Sequence, residues 1–143
     1  MTMNSMDLNA TRAVLDGALR CASELAYKPM GVVIVDTAGD VIACARQDGA
    51  SALRIDIAAG KAAACVGMGK NSRALAERAK DMPAFFAAIA AASGRRFVPQ
   101  TGALLIIDSE GTVLGAAGAS GGTGDEDERV VRAGIEAAGL GHA

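Results

Sequence analysis

The 143 residues carry a formal net charge of −2, three cysteines and one histidine, and 51% of them are hydrophobic although only 3% are aromatic. That length suits one domain with a real apolar core, and charge spread without a basic block argues against nucleic acid as a partner. The lone His142 excludes a multi-histidine metal site within one chain and leaves a Ser–His or Cys–His pair only a near-terminal residue to use.

Residues 1–6 show neither the basic region nor the apolar core of a signal peptide and are expected to be disordered. A broad stripe through Leu8, Val14, Leu15, Ala18, Leu19, Ala22 and Leu25 predicts a helix over Asp7–Ala26, capped by Ser5 or Asp7 and stopped by Pro29. The β-branched run Met30–Val35, a turn over Asp36–Asp40 with Gly39 suited to positive φ, and Val41–Arg46 predict a hairpin. An alanine-rich helix follows over Ser51–Gly69, then shorter ones over Ser72–Lys80 and Pro83–Ala92, with Pro83 suited to a first turn. Gly94–Thr101 reads as irregular or as a short edge strand around Phe97-Val98. The hairpin pattern then recurs, with Gly102–Asp108 turning into Glu110–Leu114, and Thr123–Leu140 closes the chain as a helix.

The strand runs are apolar at nearly every position, as in a sheet covered on both faces. Val32–Val35, Val41–Ala45, Leu104–Ile107 and Val113–Ala116 are therefore expected in one antiparallel sheet of a single α+β domain spanning 1–143. The longest uncharged apolar stretch, Met82–Ser93, is too short to cross a bilayer, so no membrane partner is expected. Cys21, Cys44 and Cys65 are widely spaced without a C-x-x-C, which fits reduced thiols and a cytoplasmic location. The apolar surplus in a short chain points to a homo-oligomer, a dimer or an assembly of dimers.

Four places invite chemistry. Arg46 ends a strand and Asp48 follows it, just before a helix, where side chains reach a pocket, although a surface Arg–Asp pair is the plainer reading. Lys61 stands among small residues that allow a ligand or a backbone to come close; a solvated lysine is the alternative. Gly118–Gly124 is glycine-rich at a helix start, but the next four residues, Asp125–Glu128, are acids that repel phosphate, and Thr123 with Glu126 matches a capping box. Arg95-Arg96 are either solvated or able to hold a carboxylate.

Taken in order, Arg46-Gln47-Asp48-Gly49-Ala50, Ile55-Asp56-Ile57-Ala58, Lys61-Ala62, Gly115–Gly122 and Asp125-Glu126 resemble the GlcG/HbpS-like family, which is also related to the C-terminal domain of PduO-type adenosyltransferases. The resemblance covers nearly the whole chain. It implies a profilin-like or PAS-like fold with a central antiparallel sheet, dimers that build larger assemblies, and a small ligand, haem or a related planar molecule, at a subunit interface. It maps family motifs onto Asp48, Lys61, Ser120, Gly121, Gly122, Asp125 and Glu126. Two places depart from the pattern: Val98–Gly102 replaces a Gly-Gly-x-Pro stretch, and Gln47 stands where methionine is usual. With His142 as the sole histidine, Tyr27, the cysteines and Met68 are the other candidate iron ligands.

Three functions follow: a haem-type binder; a small cofactor-independent enzyme on an organic acid, with Arg46 and Lys61 holding the carboxylate and Asp48 moving a proton; or an assembly module. The first two expect Arg46, Asp48 and Lys61 to meet the Ser120–Gly122 turn in one pocket. The rival expectation for Lys61 is a structural salt bridge to Asp48, Asp56 or Asp125.

Overall fold

A computed structural model describes residues 5–94 and 96–143. Helix α1 (Leu8–Glu24) starts where the Asp7 carboxylate accepts the Ala10 N–H at 2.7 Å. Strands β1 (Gly31–Val35) and β2 (Val41–Arg46) lead into α2 (Leu53–Met68), α3 (Ser72–Asp81) and α4 (Pro83–Ala92). Then come β3 (Ala103–Ile107), β4 (Val113–Ser120), α5 (Gly124–Ala137) and β5 (Gly141–His142).

The two hairpins share one device. The Asp36 carboxylate accepts the N–H groups of Ala38 and Asp40 at 2.9 and 3.0 Å, and Asp108 accepts those of Glu110 and Thr112, both at 2.9 Å. An aspartate that bonds its own turn pre-forms it. Gly39 and Gly111 take φ of 84° and 83°, which the turns require. The hairpins then join side by side, β1 against β4, to give the antiparallel order β2-β1-β4-β3-β5.

Alternation along the buried strands sends residues to two cores. Val32, Ile34, Leu104, Ile106 and Ala117 pack beneath α1 and α5 with Val14, Val130 and Ile135. Val33, Val35, Leu105 and Ala116 pack beneath α2 with Ala58, Ala62 and Cys65. Helices α3 and α4 lie outside α2, where Leu75 and Phe86 form a third cluster with Ala64. Among the described residues no helix is long and apolar enough to cross a membrane.

Two sequence expectations are corrected, and one left open is decided. Met6, placed in a disordered leader, is buried, and its N–H donates to the Leu114 carbonyl at 3.1 Å; residues 1–4 lie outside the described residues. Of the two readings offered for Phe97-Val98, irregular backbone holds and the edge strand does not: Val98 donates to the Gly60 carbonyl at 3.1 Å, and the Phe97 ring lies 6.3 Å from that of Phe86. The last helix ends at Ala137, short of Leu140, because Gly141-His142 pairs with Ile106-Ile107 as a fifth strand.

Candidate functional site

Lys61 lies on α2, where the helix crosses the end of β4, and it is 5% exposed. Its ammonium donates to Asp127 Oδ2 and to the Ala119 carbonyl, each at 3.0 Å. The other oxygen of Asp127 accepts the Gly122 N–H at 2.9 Å. Asp127 sits in the first turn of α5, where the helix dipole favours a carboxylate. A buried charge pair is tolerable when further hydrogen bonds meet its partners' remaining groups, and here the Ala119 carbonyl and the Gly122 N–H supply one to each partner. Gly102 makes room for it: a Cβ there would come within 2.6 Å of the lysine Nζ and 2.9 Å of the Asp127 Cβ.

In front of the pair lies a cavity of about 340 Å³ between α2, the end of β4 and the 100–101 loop, with Arg54, Thr101, Ser120 and Gly122 on its wall. Ser120 ends β4 opposite Gly31 and is 2% exposed; its hydroxyl accepts from Arg54 Nη1 at 3.3 Å. The Gly31 position would bring a Cβ within 3.0 Å of the Arg54 carbonyl carbon, so the absent side chain lets α2 begin against the sheet end. Behind the wall, the buried Ser72 hydroxyl accepts the N–H groups of Gly102 and Ala103 at 2.9 and 2.8 Å, fixing the adjoining loop.

The expected single pocket is divided. Lys61, Ser120 and Gly122 line this cavity, whereas Arg46 and Asp48 line a second one. Arg46 pairs with Gly31 from the other side, so β1 stands between it and Ser120. Gly121 contributes backbone: its Cβ position would lie 2.4 Å from the Pro29 carbonyl oxygen. Two acids point elsewhere. Asp125 is 81% exposed and binds Arg73 at 2.6 Å, which holds its carboxyl below the usual carboxylate range. Glu126 closes the capping box with Thr123. The expected salt bridge of Lys61 to Asp48, Asp56 or Asp125 is formed instead with Asp127, and Asp56 is bound by Arg96 at 3.3 Å. Arg95 lies outside the described residues.

Arg54 and Asp127 were missed, yet both carry a helical signal. Arg54 is seven residues before Lys61, on the same face of α2, and Asp127 lies three and four residues before the buried Val130 and Val131.

The second cavity, of about 590 Å³, is bounded by α1, the loop after it and the end of β2. Leu19, Ala22, Ala26 and Pro29 give it an apolar wall beside Tyr27 and Arg46. Gln47, the residue that departs from the family pattern, anchors it by accepting the Met30 N–H at 2.9 Å and donating to Ser23 at 3.3 Å. None of the other candidate iron ligands, His142, Met68 and the three cysteines, lines it. His142 is on β5, at the opposite edge of the sheet. Cys65 is on the buried face of α2, and burial pushes its thiol up to about 12, which leaves it an unreactive core residue. Met68 ends α2.

The chain matches the model of the family described as haem degrading protein HbpS-like over residues 6–136. No curated protein matches it. Among solved structures, a complex of PduOC with haem is 23% identical, with a TM-score of 0.84 over 96% of this chain and 97% of that one. A double mutant of HbpS from Streptomyces reticuli is 23% identical, with a TM-score of 0.80 over 95% and 88%. Protein ORFY of Klebsiella pneumoniae is 20% identical, with a TM-score of 0.84 over 97% and 94%. At these identities the likeness is one of fold.

Proposed function

The chain belongs to the HbpS-like family, and from that premise we propose that it binds a small ligand, haem or a related planar molecule, in the cavity beside Tyr27. The observation that carries this reading is the make-up of that cavity. Its volume of about 590 Å³ falls within the usual range for ligand pockets, and its wall is mixed, with Leu19, Ala22, Ala26 and Pro29 beside Tyr27, Arg46, Gln47 and Asp48. Among its lining residues only Tyr27 is of a type that holds haem iron. Arg129 donates to the Tyr27 hydroxyl at 3.4 Å, a contact that becomes charge-assisted if the oxygen is an iron-bound phenolate. Arg46 is exposed at the rim, suited to a propionate, and Leu19, Ala22, Ala26 and Pro29 offer surface to a macrocycle. The residues present thus fit the group. Haem supplies the iron and its redox chemistry; the chain's own residues bind, orient and shield it.

Titration with haemin, followed by the Soret band, should show saturable one-to-one binding. Tyr27→Phe should change the band shape and weaken binding by about tenfold, the loss of roughly one strong contact. Binding with the same spectrum and affinity in Tyr27→Phe would sink the site, and so would wild-type protein that never saturates.

The second part of the proposal is a homo-oligomer. Helix α4 is apolar throughout, PAFFAAIAAA, yet only Phe86 in it is buried, and Phe85 is 46% exposed. Leu53 and Leu8 add exposed apolar surface at 60% and 51%. A run of that kind usually marks an interaction surface, and the occupant proposed is a second copy of the chain. Light scattering at micromolar concentration should give at least twice the 14.3 kDa chain mass, and Phe85→Glu should lower it. A monomer mass for the wild type would end this reading.

A further inference from the structure

The geometry points to a second ligand site, separate from the Tyr27 cavity: a subsite for a small carboxylic acid, anchored by Arg54 and Ser120 in the 340 Å³ cavity. Lys61 and Asp127 cancel each other at 3.0 Å and are both almost fully buried. Arg54 therefore leaves the cavity with one net positive charge. Among the described residues its guanidinium has no carboxylate within ion-pair distance, and its one polar contact is the Ser120 hydroxyl oxygen at 3.3 Å. Arg54 is half-buried, so this cation has lost part of its water without gaining a counter-ion.

Chemistry then selects the class of ligand. A guanidinium presents a planar fork of donors that matches a carboxylate. Ser120 accepts from Arg54, which leaves its own O–H free to donate to the same carboxylate. Two of the three Lys61 N–H groups are engaged, by Ala119 and Asp127. The third can meet a further acceptor on the ligand, such as a carbonyl or hydroxyl oxygen. One net positive charge on the wall matches a ligand with one negative charge. The occupant is a short monocarboxylate bearing one more oxygen acceptor. The arrangement replaces the expected Arg46 with Arg54, which approaches from α2 rather than β2.

Pyruvate is a suitable probe, with methyl pyruvate as its neutral ester and inorganic phosphate as a general anion. Titration of the full chain, read by amide shifts in nuclear magnetic resonance, should move Ser120 and Gly122 saturably with pyruvate. Neither methyl pyruvate nor phosphate should compete with it. Arg54→Gln should weaken pyruvate by at least about tenfold, the value of one charge-assisted contact. Arg54→Lys, which keeps the charge without the fork, should fall between and decides the matter if the glutamine variant unfolds. Haemin titration of Arg54→Gln should match the wild type. The proposal is overturned by unsaturable pyruvate shifts, by equal binding of the ester or of phosphate, or by unchanged affinity in Arg54→Lys. Joint loss of haemin and pyruvate binding in a folded Arg54→Gln would likewise overturn it as a separate site.

Discussion

Lys61→Met is expected to destabilise the fold by about 3–5 kcal/mol, because it leaves the Asp127 carboxylate buried without its counter-ion. Asp127 is 2% exposed, and its one remaining hydrogen bond would be to the Gly122 N–H. For a chain of this size that loss corresponds to a fall in Tm on the order of 10 °C, measured by thermal unfolding at fixed protein concentration. Asp127→Asn should also destabilise, since Lys61 then holds a buried positive charge unopposed. The double variant should be less destabilised than the sum of the two, because the charge each single change strands is removed by the other. Lys61 read from the sequence as a ligand contact carries the opposite expectation, that its removal abolishes ligand binding while folding survives, and thermal unfolding of Lys61→Met decides between the two. Strict additivity in the double variant, or an unchanged Tm in Lys61→Met, would show that the pair carries no stability.

Ile106→Ala is expected to cost about 2–5 kcal/mol, the range for deleting a buried aliphatic side chain and leaving a cavity. Ile106 is fully buried in the core beneath α1 and α5, with Gly115 on one side of it and His142 on the other. Close packing on both sides leaves little freedom for collapse around the void. Ile42→Ala is the comparison: Ile42 lies half-buried on the edge strand β2 and should cost less than half as much. Chemical denaturation checks both. Equal costs at the two positions would contradict the core assignment. A folded Ile106→Ala should keep the haemin spectrum of the wild type, since Ile106 lines neither cavity.

Local pattern carried much of this architecture. Each hairpin was legible because Asp36 and Asp108 bond their own turns and Gly39 and Gly111 supply positive φ, all within five residues of chain. The Thr123–Glu126 capping box was legible for the same reason. Helices were readable from apolar periodicity, and two covered sheet faces from strands that do not alternate. Strand β5 was not readable, since Gly141-His142 has no strand propensity and exists only because Ile106-Ile107 offers an open edge.

The site was decided later. Pairing of β1 with β4 sets Ser120 opposite Gly31 and places Arg46 on the far side of that strand, so one expected pocket became two. Which of the four acids at the start of α5 turn inward depends on the face that α5 presents to the sheet, and Asp127 and Glu128 are the buried two. Asp127 is the one that meets Lys61, 66 residues away in sequence. Hydrogen bonds within a few residues are written in local sequence. A buried ion pair across such a separation exists only once desolvation in the packed core makes each charge require the other.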